Sequence, residues 1–237
     1  MKKLLIMSVY APGTWGLYNH QSRFLERTTK DYDHIVVSPQ KPPVECEWRQ
    51  SARRSHIMGL RIIRELAAQK QGEYESMCLM DSDAFPVRAD WQDTLDTAIA
   101  EGGKTYAAPI RVENYDLFPH VSFVYAKSSE FAKMKMMFVR GNGMGLFTKR
   151  IQEVGAGLDL WQCLPLLKSN IWSPHFRWHI VYSDIIYHKG AGSRKVRKFK
   201  RGSAVWKRLM PSVPLTIAGD PTPKFINSLV GEERFKE

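Results

Sequence analysis

Apolar residues fall along this chain in two rhythms. Residues 3–10 (KLLIMSVY), 34–38 (HIVVS) and 77–80 (MCLM) are compact apolar runs of strand length, the form of strands buried on both faces. Between them the apolar positions spread to helical intervals. Leu17, Phe24 and Leu25 mark a weak helical pattern over 17–30. Ile57, Leu60, Ile63 and Ala67 line one face of a clearer helix over 51–69, with Ser51 as its cap and Gly72 beyond its end. Pro39 stops the second strand, and 40–48 reads as a Pro-rich loop. The order strand, helix, strand, helix, strand predicts a parallel sheet with helices packed on it.

Further along, the pattern predicts a helix over 91–100 broken by Gly102 and Gly103, and strands at 105–110 and 121–126. Ser128 and Ser129 are placed to cap a helix through Phe131 to Phe138. A second helical pattern covers 158–168, and 179–187 reads as one strand. Gly141, Gly143 and Gly145 do not form a phosphate loop, because no strand precedes them and no Gly-Lys-Ser/Thr ending follows. Four of the thirteen prolines fall in 211–237, which reads as an irregular tail. No repeat or internal boundary appears, so residues 1–210 are expected to form one domain.

Charge changes the picture. Lys and Arg number 35 against 24 Asp and Glu, a formal +11. Such a surface favours a polyanionic partner, nucleic acid or an anionic membrane face. Residues 194–208 carry eight Lys or Arg with Phe199 and Trp206 among them. That mixture suits phosphate neutralisation and base stacking, and equally a solvated or membrane-surface segment. No apolar run approaches the ~18–20 residues of a membrane helix. Residues 1–13 fit a first strand better than a signal peptide. Cys46, Cys78 and Cys163 are scattered and odd in number, so neither a disulfide framework nor a zinc site is expected, and a reducing cytoplasm is.

The candidate chemistry follows the third strand. Asp81 and Asp83 flank Ser82, and Pro86 closes the stretch. In an extended chain residues i and i+2 share a side, so both carboxylates can meet one cation at the carboxyl end of a central strand, where open α/β sheets bind ligands. Paired carboxylates suit Mg2+ or Mn2+, which keep positions for phosphate oxygens. The same residues also serve a solvated turn or a helix cap. Much later, His188 stands beside Lys189, Gly190, Gly192 and Arg194. His188 can add a neutral nitrogen ligand, while Lys189, Arg194 and backbone N–H groups of the glycine turn would contact a diphosphate. An ordinary strand-end histidine is its plainer reading.

Residues 4–10 and 53–59, with Asp81-Ser82-Asp83 and His188-Lys189-Gly190, resemble the GT-A-type glycosyltransferases, in order over about residues 1–195. The resemblance implies a GT-A-like (Rossmann-like) α/β fold, a mostly parallel sheet flanked by helices in a single domain. It implies Mn2+ or Mg2+ as cofactor and a nucleotide-sugar, foremost a UDP-sugar, as donor. By the same resemblance Asp83 binds the metal directly, Asp81 contacts metal or ribose, and His188 completes the site. Ser8, Tyr10, Arg54, Asp81, Lys189 and Arg194 are the expected donor contacts. Tyr10 would stack near the base and Arg54 contact the nucleotide; a core-edge aromatic and a surface helix charge are their plainer readings. The family often carries an Asp at the second strand's end that reads uracil, whereas this strand ends Val37-Ser38-Pro39 and leaves the base open. An inverting enzyme needs a carboxylate base. Asp159, after Gly155 and Gly157, is the first candidate and Glu153 the second, though Asp159 suits a helix N-terminus equally well. A retaining enzyme needs no such base.

For the acceptor, the charge favours a polyanion. A hydroxymethylated base in DNA, as some viral enzymes of this broad kind glycosylate, is the concrete case, with the host cytoplasm as its compartment. A cell-envelope glycan or lipid at an anionic membrane is the alternative. Two other classes compete. A nucleotidyltransferase uses similar carboxylates, but no glycine- and arginine-rich loop follows the first strand. A non-catalytic nucleic-acid-binding protein explains the charge and leaves Asp81 and Asp83 without work.

Overall fold

The computed structural model describes residues 2–11, 14–51, 56–113, 116–134, 158–167, 169 and 180–189. The first half follows the expected rhythm. β1 (Lys2–Val9), α1 (Trp15–Thr28), β2 (Tyr32–Ser38), α2 (His56–Lys70) and β4 (Tyr74–Met80) alternate, with a short β3 (Glu47–Gln50) added after β2. Then come β5 (Ala84–Pro86), α3 (Trp91–Glu101), β6 (Tyr106–Glu113), β7 (Asp116–Pro119), β8 (Phe123–Lys127) and α4 (Ser128–Lys133). A 3-10 turn (Leu160–Gln162) leads into β9 (Cys163–Leu166), and β10 (Ile180–Tyr182) and β11 (Ile186–His188) complete the described elements.

Eight strands form one mixed sheet in the order β3-β2-β1-β4-β8-β6-β7, with β9 also on β6. The pairs β3-β2, β2-β1, β1-β4 and β6-β9 are parallel; β8 runs antiparallel between β4 and β6, and β7 antiparallel to β6. The result is a mostly parallel sheet flanked by helices. Side chains alternate across it. Leu5, Met7 and Val9 face Leu60, Ile63 and Ala67 of α2, while Leu4 and Ile6 face Leu25 of α1 and Trp91 and Leu95 of α3. Both faces are therefore covered, which is why the central strands read as continuous apolar runs. At Gly59, α2 comes so near β1 that a Cβ would lie 2.5 Å from Val9 Cγ1.

Several expectations change. Residues 158–167, within the expected helix 158–168, do not form it: only the 3-10 turn is helical, and β9 follows as a strand on β6, while residue 168 lies outside the described residues. Pro165 is the reason, since it lacks an N–H and would break a helix interior, while a sheet edge tolerates it. Residues 180–187, within the expected strand 179–187, are not one strand but the hairpin β10-β11, reversed at Ser183 and Asp184 with φ of 49° and 54°; residue 179 lies outside the described residues. Two successive positive φ values and the Ile185 N–H to Tyr182 carbonyl bond (2.9 Å) make the mirror-image turn that matches strand twist. Residues 47 and 48, the end of the expected loop 40–48, belong to β3; three of its four side chains are exposed and two are charged, so no apolar run marks it. α4 begins at Ser128 with Lys127 as N-cap, so Ser128 and Ser129 lie in its first turn, and it ends at Lys133. The expected tail 211–237 and the end of the 1–210 domain lie outside the described residues.

Candidate metal centre

The strand order reverses direction at β1 and β4: the chain runs outward through β2 and β3 on one side and through β4 on the other. In open α/β sheets the crevice at the carboxyl ends beside such a switch point takes ligands. Asp81 follows β4 at that end. Its N–H donates to the Ser122 carbonyl at 2.8 Å, and the Ala84 N–H returns to the Asp81 carbonyl at 2.9 Å, closing a four-residue turn. Asp81 and Asp83 thus sit on one tight turn rather than on a straight strand.

The small second sheet, β10-β11-β5, delivers the distant histidine. β11 pairs antiparallel with β5, placing His188 opposite Ala84, and the Lys189 N–H donates to the Asp83 carbonyl at 2.9 Å. Phe24 of α1 stacks on Phe85 at 4.1 Å and Phe85 meets Tyr187 at 4.8 Å, which holds this sheet against α1. The His188 Nε2 then lies 3.2 Å from Asp83 Oδ1 and 3.6 Å from Asp81 Oδ2. One ligand atom from each of the three residues falls within 4.8 Å of the others. His188 and Asp83 are buried, and Asp81, at 18% side-chain exposure, forms the open side.

This donor set fits a hard divalent cation. Adjacent ligands on an octahedral ion bound at about 2.1 Å stand about 3 Å apart, close to the two His188 distances. Two carboxylates with one imidazole suit Mn2+ or Mg2+, the imidazole favouring Mn2+. Holding the buried Asp83 carboxylate charged beside Asp81 also costs free energy unless a positive partner offsets it.

Two residues that the sequence did not single out stand at the site. Gln21 of α1 is buried and joins β1 to the acidic turn through four hydrogen bonds, to Ser8, Tyr10, Asp81 and Ala84. His120, also buried, has its ring centroid 6.0 Å from that of His188, and its Nδ1 accepts from the Ser122 N–H at 3.0 Å. An acceptor Nδ1 leaves the neutral ring with its proton on Nε2. Neither carries a local sequence signature, since each is one polar residue whose role depends on its partners.

The expected donor contacts divide three ways. Ser8 and Tyr10 do reach the site, but both are buried with their hydroxyls turned to Gln21, and the Tyr10 ring stacks on Trp15 at 5.6 Å. Burial, then nearby Tyr18 and Asp83, push the Tyr10 hydroxyl well above its ordinary pKa, so it stays protonated. Lys189 is beside Asp83 through its backbone. Asp159 caps the 3-10 turn, its Oδ1 accepting from the Trp161 N–H at 2.9 Å. Arg54, Glu153, Arg194 and the basic stretch 194–208 lie outside the described residues.

No protein-family model matches the chain, and comparison with curated protein sequences finds no relative. Among solved structures it is similar to A197 from STIV, with 13% identity over 86% of this chain and 100% of that one, at a TM-score of 0.40. It is also similar to TarS residues 1–349 from S. aureus, with 11% identity over 54% of this chain and 47% of that one, at a TM-score of 0.38. The mannosyltransferase PcManGT from Pyrobaculum calidifontis, in complex with GDP-Man and Mn2+, shares 10% identity over 53% of this chain and 44% of its own, at a TM-score of 0.39. The chain therefore spans less than half of the latter two. Likeness at this level carries no weight for function, which rests on the site itself.

Proposed function

We propose that this chain is a metal-dependent glycosyltransferase of the GT-A type, moving a hexose or pentose from a nucleotide-sugar to an acceptor hydroxyl. The observation that carries the reading is the meeting of Asp81, Asp83 and His188 at the carboxyl end of β4, in the crevice beside the switch point. Asp83 and His188, both buried, would hold the cation, with Asp81 on the open side completing the set and reaching the donor ribose. A bound Mn2+ or Mg2+ supplies charge stabilisation to the departing diphosphate. Lys189 and Arg194 would add cationic contacts to that diphosphate, and Arg54 a contact to the nucleotide. We take a UDP-sugar as the first donor to test, although Ser38 stands where a uracil-reading carboxylate would be; its hydroxyl is bonded to the Gln40 carbonyl and Trp48 Nε1. If the reaction inverts, Asp159, or failing it Glu153, takes the acceptor proton.

The +11 charge supports a polyanionic acceptor, and a hydroxymethylated base in DNA is the one we favour, acted on in the cytoplasm, a host's if the chain is viral. Such a base has to leave the duplex to reach a crevice of this kind. The test is Mn2+-dependent release of nucleoside diphosphate from a panel of nucleotide-sugars, then transfer to hydroxymethylated DNA or to an envelope glycan or lipid. Release abolished by Asp83→Ala supports the enzyme. Salt-sensitive DNA binding with no turnover, unaffected by that substitution, would replace it with a binding protein.

A further inference from the structure

Gln21 uses every hydrogen-bonding position its amide has. Nε2 donates to the carbonyls of Asp81 (2.8 Å) and Ala84 (2.6 Å), and Oε1 accepts from the hydroxyls of Ser8 (3.1 Å) and Tyr10 (2.6 Å). Carbonyls only accept, so the orientation of the amide is fixed by its partners. Asp81 and Ala84 are the two ends of the turn that carries both carboxylates. Within the turn itself the Ala84 N–H bond to the Asp81 carbonyl closes the curve. Gln21 grips both ends from the other side, and does so from the middle of a helix in a different layer.

The grip is anchored in turn. Ser8 on β1 also lies 3.1 Å from His34 Nε2 on β2, and Tyr10 is wedged between Trp15 and Tyr18. The line of contacts thus runs from the central sheet through one amide into the acidic turn. A fully buried glutamine in a helix interior is costly unless all four positions are matched, and here they are.

We propose that Gln21 is a positioning residue for the cation site: by clamping the Asp81 and Ala84 carbonyls to β1 it sets where the Asp81 and Asp83 carboxylates stand relative to His188. It touches neither carboxylate nor imidazole in the bonds described, so it acts through the backbone of the turn. This rests on reading Asp81, Asp83 and His188 as a metal centre.

The experiment measures Mn2+ affinity directly, by titration of the purified full chain, for wild type, Gln21→Glu, Gln21→Leu, Tyr10→Phe and Asp83→Ala. Circular dichroism and melting are followed on the same samples. Gln21→Glu keeps the size and the acceptor for Ser8 and Tyr10 but turns an oxygen towards two carbonyls. The expected result is Mn2+ binding weakened about 10-fold or more in both Gln21 variants and by less in Tyr10→Phe, with the fold intact. A merely structural glutamine would lower the melting temperature and leave the affinity of the folded protein within about twofold of wild type; that outcome overturns the proposal. If neither Gln21 variant folds, Tyr10→Phe decides: weakened Mn2+ binding supports the clamp and unchanged binding ends it. Wild type binding Mn2+ no better than Asp83→Ala would remove the metal centre itself, and the clamp with it.

Discussion

Lys189 donates its backbone N–H to the carbonyl of Asp83 at 2.9 Å, tying together positions more than a hundred residues apart. The bond lies one step beyond the ladder between β11 and β5, so His188 is brought to the two carboxylates by sheet pairing. A metal centre built this way should respond to loss of a ligand without loss of the fold.

Mn2+ added at about 100 times its Kd should stabilise the wild type by about 2.7 kcal/mol, visible as a rise in melting temperature that chelation reverses. Asp83→Asn and His188→Ala should each abolish that rise. Sugar transfer, where it is measured, should fall by about 100-fold or more in either variant. A normal Mn2+-dependent shift in both would show that these residues do not hold the ion.

His34 gives a pH dependence with a definite sign. Burial pushes its imidazole down from 6.5 to about 4, so the unfolded chain takes up a proton before the folded one does. Stability is then unaffected above about pH 7 and is lost as pH falls from 6.5 towards 4. The loss has an upper bound of about 3.4 kcal/mol, reduced because the residue is only partly buried. Chemical denaturation of wild type and His34→Gln across this window measures it, and parallel curves for the two proteins would rule the effect out.

Much of this was legible in the chain. The runs around Leu5, Val36 and Leu79 announced buried parallel strands because helices cover both faces of the sheet, and Asp81 with Asp83 stood out because a paired acidic step after such a run is chemically loaded. What stayed hidden were features that exist only through pairing. Glu47–Gln50 joins the sheet by backbone pairing with β2 and by the Trp48 indole, one aromatic among polar neighbours that makes no apolar run to betray a strand. Gln21 is one polar residue on a weak helix, and its significance comes from carbonyls sixty residues away. Pro165 did offer a signal against a helix over 158–168, but the leucines around it masked it.

Gly59→Ala should destabilise the protein although alanine favours helix. The new methyl would press on both Cγ atoms of Val9, at 2.5 and 2.8 Å, and a β-branched side chain in a packed strand has no free rotamer to retreat to. A net loss of about 1–3 kcal/mol is expected in equilibrium unfolding. Gly59→Ala with Val9→Ala should recover part of it.

Asp184→Gly should act the other way. Asp184 is exposed and holds a φ of 54° in the β10-β11 turn, a conformation that costs a residue with a Cβ about 1 kcal/mol. Glycine removes that strain, so the melting temperature should rise with Mn2+ affinity unchanged. A fall would mean that the side chain contributes more than the backbone strain.

The acidic turn is closed by three main-chain bonds, from Asp81 to Ser122, from Ala84 to Asp81 and from Lys189 to Asp83, none of which needs an ion. Little ordering entropy is then left to surrender on loading, so capture of the ion should be quick, with almost no change in hydrogen-exchange protection across β4, β5 and β11.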